Sequence, residues 1–177
     1  MVKKDDKTLQ MLSTALEMEH RGREFYQKAI SQCTNDVGRQ IFTMLEGDEL
    51  IHIKRIMDIF SALDNENKWS EGWKTMTFGH DDMKGFFTDL AKKNGPSITV
   101  DTSDIKALEV GIDFESKSVD FYQSNLERAT ETIEREFVAR MVEEERVHLL
   151  TLIDAKEYLS DPSAWFRKSE RGGIDGA

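Results

Sequence analysis

The chain has 177 residues, a formal net charge of -10 and a sequence pI near 4.9. That length suits one domain with a sizeable core, and the acidity speaks against nucleic acid and anionic membranes as partners. A single cysteine, Cys33, excludes an internal disulfide or a CxxC site within one chain. No apolar run approaches the length of a membrane span and the start has no apolar signal core, so a soluble cytoplasmic protein is expected.

Only two prolines, with abundant Leu, Met, Glu and Lys, point to an all-α fold. A first helix is predicted from Asp6 or Thr8 to about Cys33, with Leu9, Leu12, Leu16, Phe25, Tyr26 and Ile30 at steps of three and four. Thr34-Asn35-Asp36 breaks it and offers N-cap residues. A second helix carries Ile41, Leu45, Ile51, Ile56, Ile59 and Leu63 and ends by Asn67.

From Asp64 to Asp101 the pattern weakens. Trp69, Trp73, Phe78, Phe86 and Phe87 are scattered among polar residues, with one short helix predicted over Asp81–Lys92 and a breaker at Asn94-Gly95-Pro96. The aromatic content suits a crossover lying on the outside of a bundle. A third helix is predicted from Thr102 or Ser103 to Glu127 and a fourth from Thr130 to Tyr158. Asp161-Pro162 restarts the chain as a short helical segment, Ser163–Phe166. The tail Arg171–Ala177 is expected to be mobile or docked on a neighbour.

Laying residues 8–63 over 104–159 at an offset of 96 reveals a repeat. Glu19 falls on Glu115, Phe25-Tyr26 on Phe121-Tyr122, Glu49 on Glu145, and His52 on His148. The repeating unit is a helical hairpin, about 8–63 and 102–159. Two hairpins joined by the crossover, about 64–101, make a four-helix bundle within one domain spanning 1–177, with 160–177 as a tail.

The repeat gives chemical meaning to Glu49-x-x-His52 and Glu145-x-x-His148. Residues three apart share a helix face, so each pair aims a carboxylate and an imidazole the same way. Glu19 and Glu115 lie on or beside apolar stripes. Either alone reads as a boundary residue reaching water, whereas the duplicated Glu, Glu, His set reads as ligands. Four carboxylates and two neutral imidazoles are balanced by two divalent cations, and one imidazole per metal suits iron or manganese better than zinc or copper.

These stretches resemble the rubrerythrin family of ferritin-like di-iron proteins. The resemblance rests on Ala15–Glu19 through Tyr26, Asp48–His52, Asp113–Glu115 through Tyr122, and Glu144–His148. It implies a ferritin-like four-helix bundle holding two iron ions per chain, with manganese or zinc as substitutes. Glu19 and His52 would hold one metal, Glu115 and His148 the other, and Glu49 and Glu145 would bridge. Asp48 and Glu144 would each hydrogen-bond a histidine ligand across the site, or else be exposed helix charges. Tyr26 and Tyr122 would border it, as hydrogen-bonding neighbours or as packed core tyrosines.

The family also carries a further glutamate one turn after the third-helix ligand, where this chain has Ser118, and a four-cysteine rubredoxin-like domain that one cysteine cannot build. The expected activity is reduction of peroxide or dioxygen in oxidative-stress defence, with electrons from an external rubredoxin-like carrier and a homodimer as the assembly. Iron binding, ferroxidation or sequestration is the alternative. A bundle with structural metals serving as an interaction module is the third reading. His20 and His80 lack repeat partners and are read as surface residues, and Cys33 as an apolar filler.

Overall fold

The computed structural model describes residues 6–79 and 82–172. Among them are six α-helices and no strand: α1 (Asp6–Gln32), α2 (Asp36–Glu66), α3 (Met83–Asn94), α4 (Thr102–Arg128), α5 (Thr132–Ser160) and α6 (Pro162–Gly172). A 3-10 turn at Gly72–Thr75 lies in the crossover. His80 and Asp81 lie outside the described residues, as do residues 173–177 of the tail.

Each boundary has a local cause. Asn35 caps α2 by accepting from the Val37 and Gly38 amides, and Asn67 closes it in the left-handed conformation, φ 51°. Asp101 caps α4 through the Ser103 amide. Asp104, in the first turn of α4, accepts from the Thr34 amide (3.0 Å), the Thr34 hydroxyl (2.8 Å) and the Asn35 amide (2.9 Å). The α1–α2 turn is thereby tied to the second hairpin.

The hairpins are α1–α2 and α4–α5. Tyr26 meets Glu115 while Tyr122 meets Glu19, so α1 and α4 run antiparallel. His52 meets Glu144 while His148 meets Asp48, so α2 and α5 do as well. The crossover therefore returns along the length of the bundle before α4 begins, an up-down-down-up arrangement with one long connection.

The core is divided in two. One apolar cluster contains Tyr26, Ile41, Phe42, Leu45, Leu108, Leu152 and Tyr158. The other contains Leu12, Ile56, Ile59, Tyr122, Phe137, Val138 and Met141. On each long helix the stripe is interrupted at mid-length by buried charge: Glu19 on α1, Glu49 and His52 on α2, Glu115 on α4, Glu145 and His148 on α5. Burial of large apolar side chains, roughly 1.5–3 kcal/mol each, offsets that polar layer from both ends.

Three features differ from the sequence expectation. The short C-terminal segment is an eleven-residue helix. Asp161 Oδ1 accepts from the Ala164 amide, Pro162 suits the first turn, and Trp165 and Phe166 pack edge-on against Tyr158. The crossover helix begins at Met83 and runs two residues beyond Lys92 before Gly95, φ 70°, ends it. Trp69 and Trp73 cover Phe137 as an outer layer should, and Phe87 packs on Tyr158. Phe78 instead lies against the polar layer.

Candidate metal centre

The structure brings Glu19, Glu49, His52, Glu115, Glu145 and His148 into one cluster, none more than 2 % exposed. Glu19, Glu49 and His52 offer ligand atoms within 4.8 Å of one another, and so do Glu49, Glu115, Glu145 and His148. The two groups share Glu49. His52 Nδ1 lies 3.1 Å from Glu19 Oε2 and 3.1 Å from Glu145 Oε1. His148 Nδ1 lies 3.4 Å from Glu145 Oε2 and 3.9 Å from Glu115 Oε1. Glu145 thus reaches toward both imidazoles.

The outer edges of the cluster are held across the hairpins. His52 Nε2 lies 3.1 Å from Glu144, and His148 Nε2 lies 3.2 Å from Asp48. Both imidazoles consequently turn Nδ1 inward and Nε2 toward a carboxylate, which fixes ring orientation and tautomer. Tyr26 donates to Glu115, and Tyr122 donates to Glu19. All four contacts join a residue of one hairpin to a residue of the other, as the repeat's approximate two-fold symmetry requires.

Gly22, one turn beyond Glu19, permits a close approach. A Cβ there would lie 2.6 Å from the Phe114 ring and 3.2 Å from the Glu49 carboxyl carbon. The position equivalent by the repeat is Ser118, which is buried and donates to the Phe114 carbonyl (3.3 Å). Both helices carry a small residue at this position.

Several inward-facing atoms make no hydrogen bond, although Glu145 and His148 Nδ1 stand within ion-pair distance of one another. Both oxygens of Glu49, both of Glu145, Oε2 of Glu115 and Nδ1 of His148 are buried and make no hydrogen bond. Each such group costs about 1–3 kcal/mol, and more when charged. Their lone pairs converge, which is the condition a cation satisfies. The donor set of four carboxylates and two imidazoles fits two hard-to-borderline divalent ions such as iron or manganese.

Titration in the absence of metal follows the crowding. Burial, then the neighbouring Glu19 and Glu115 charges, push Glu49 well up, and burial and Glu145 push Glu115 up. Burial works against a charged His52, but Glu145 and Glu19 outweigh it and raise its pKa. Burial works against a charged His148, but its contact with Asp48 and the nearby Glu145 and Glu115 carboxylates outweigh burial and raise it to about 10. Burial would raise Glu145, yet the two imidazoles hold it well below the carboxylate range. Protons occupy the position that cations would take.

Three neighbours of the site, Arg55, Arg140 and Phe78, are not signalled as such by the sequence. Arg55 is wholly buried, donates to the Met76 carbonyl through Nε (3.0 Å) and Nη2, and pairs with Glu144. Arg140 pairs with the other oxygen of Glu144 at 2.9 Å. Burial disfavours the Glu144 charge, but the His52 and Arg55 contacts prevail and lower its pKa to about 2. Arg55 lies three residues after His52, so its helix face was readable; Phe78 gave no such signal.

Of the other singled-out residues, His20 is exposed. Cys33 is buried, and burial with the nearby Asp104 charge raises its thiol to about 11, which suits a packed residue rather than a reactive one. No helix among the described residues is long and apolar enough to cross a membrane.

A four-helix bundle of two antiparallel hairpins, with a buried Glu/His layer at mid-height, defines the ferritin-like class of carboxylate proteins. The rubrerythrin family model matches residues 10–156, most of the chain, and the protein belongs to that family. Neither a curated protein nor a solved structure matches it.

Proposed function

We propose that the protein is a di-iron, or mixed iron–manganese, oxidoreductase that reduces peroxide or dioxygen with electrons from an external carrier. The observation that carries this reading is the convergence of buried carboxylate and imidazole atoms, several of them without a hydrogen bond, in one layer. Glu19 and His52 would hold one ion, Glu115 and His148 the other, with Glu49 and Glu145 between them. Bound there, the metal pair supplies two one-electron equivalents and Lewis acidity toward a small oxygen species.

The chain's own residues supply the rest. Glu144 and Asp48 orient the imidazoles, and Arg55 with Arg140 fix Glu144. Tyr26 and Tyr122 keep one oxygen of Glu115 and of Glu19 engaged, limiting how far those carboxylates swing. Burial raises both phenols well above their usual pKa, so the hydroxyls remain donors through the neutral range. The apolar clusters above and below keep bulk water from the layer. A small rubredoxin-like protein is proposed as the donor, and a homodimer as the assembly.

The test is anaerobic reconstitution with Fe(II), metal analysis, and rapid mixing with peroxide and with oxygen. Two irons per chain and fast oxidation that a reductant reverses fit the proposal. Fewer than one metal per chain would sink the di-iron reading. Oxidation that deposits ferric mineral without returning to the ferrous form would favour iron sequestration instead.

A further inference from the structure

We propose that Phe78 determines what reaches the Glu/His layer from its imidazole side, and that Arg55 holds it in place. This rests on the metal-site reading above. The Phe78 ring centroid lies 5.6 Å from the His52 ring and 5.8 Å from the His148 ring, while the two imidazoles are 5.5 Å apart. One benzene ring therefore spans both imidazoles. Phe78 is itself half-buried, so it forms the layer between the imidazoles and the outside.

The segment bearing Phe78 is fastened at several points. The Arg55 guanidinium sits 5.4 Å from the Phe78 centroid and donates twice to the Met76 carbonyl. Arg140 reaches the same carbonyl (3.4 Å) and that of Lys74 (3.2 Å). A wholly buried guanidinium is tolerated only where its donors are used. Here they join the crossover backbone to Glu144, the carboxylate on His52. Displacing Phe78 means breaking its contacts with both imidazoles and loosening a cation–π contact, with the Met76 anchor resisting.

Physical consequences differ by solute size. A species of two heavy atoms passes with a tilt of the ring, whereas a chelator needs the ring displaced. Phe78 thus acts as a filter that admits small oxidants and retains metal. Its neighbour in composition, Phe86, is an exposed ring on α3 and serves as a control.

The experiment measures metal extraction from the loaded full-length protein by EDTA, over a range of EDTA concentrations, alongside urea unfolding. For the parent, the extraction rate levels off at a limit set by ring displacement. Phe78→Ala should raise that limit about tenfold or more, the loss expected from two aromatic contacts and a cation–π contact. Phe78→Leu should give a smaller rise, and Arg55→Lys, which retains charge but not the fork, an intermediate one. Phe86→Ala should release metal at the parental rate. Phe78→Leu and Arg55→Lys decide the matter should the alanine variant not fold.

Extraction at the parental rate in the Phe78 variants, with metal content intact, overturns the filter and leaves the metal site standing. A rise matched by Phe86→Ala, or accounted for by lost unfolding stability, also overturns it. A parent that takes up no metal sinks both readings together.

Discussion

Tyr26 on the first hairpin donates its hydroxyl to Glu115 on the second, and the repeat places Tyr122 on Glu19 in the reciprocal sense. The pair of contacts locks the hairpins together at the level of the polar layer. Tyr26→Phe should cost about 1–3 kcal/mol, the penalty for leaving a buried acceptor unpaired. Tyr122→Phe should cost a similar amount because it likewise leaves a buried carboxylate oxygen unpaired. Urea unfolding of the metal-free proteins measures both, and a change below the error of the method in each would show that the hydroxyls are not needed.

Glu49 is the carboxylate shared by both ligand groups, and neither of its oxygens has a protein partner. On the two-ion reading proposed above, Glu49→Gln is therefore expected to reduce metal content to at most one ion per chain. The same substitution should stabilise the metal-free protein by about 1 kcal/mol, since it removes a crowded carboxylate from a site arranged for function. Metal analysis and unfolding in EDTA read the two effects separately. Loss of stability in the metal-free variant would contradict the crowding argument.

Protons and metals compete for the layer, so metal-free stability depends on pH in a definite sense. His52 and His148 have raised folded pKa values, about 10 for His148. Their contribution is complete below the unfolded value of about 6.5 and is lost as pH rises through the folded values. Glu49 and Glu115, also raised, retain protons in the fold that the unfolded chain releases above about 4.5, so they act in the same direction. Glu144 and Glu145 are depressed, and their contribution is lost as pH falls through the folded values, about 2 for Glu144.

Metal-free protein should accordingly be most stable near pH 4.5, weaken as pH rises from there, and weaken more steeply from about pH 6.5 toward 9. Adding a divalent cation should reverse the alkaline limb and release protons, measurable as base uptake at constant pH. A metal-free unfolding midpoint that rises from pH 6.5 to 9 would contradict the assignment of protons to the imidazoles.

The bundle was legible because the polar layer repeats. Glu19, Glu49 and His52 recur as Glu115, Glu145 and His148 at one offset, and the flanking Tyr26 and Tyr122 recur with them. Helical periodicity alone places these side chains on inward faces. Arg55 and Phe78 escaped because neither recurs: Arg55 falls on Thr151 by the same offset, and Phe78 lies in the crossover, outside the repeat. Arg55 also reads as a surface charge by residue type, and its burial depends on a carbonyl in the crossover. The C-terminal helix was undersized because its support is tertiary, from Tyr158 and Phe87 against Trp165.

Asp104 provides a further link between the hairpins, at one end of the bundle. Its carboxylate gathers three donors from Thr34 and Asn35, while Asn35 Nδ2 donates to the Thr99 carbonyl at 3.0 Å. Burial raises its pKa, but the hydrogen bonds outweigh burial and leave it lowered. Asp104→Ala should cost about 1–3 kcal/mol at neutral pH by orphaning those donors, and Asp104→Asn, which keeps one acceptor oxygen, should cost less. The parent's advantage is present above the unfolded value of about 3.9 and is lost as pH falls through the lower folded value. Unfolding midpoints of parent and variant should therefore converge in acid and separate at pH 7. Metal content should not change, because Asp104 lies more than two helical turns from Glu115 in sequence. A variant that lost metal but not stability would place Asp104 in the metal site's support rather than in the hairpin junction.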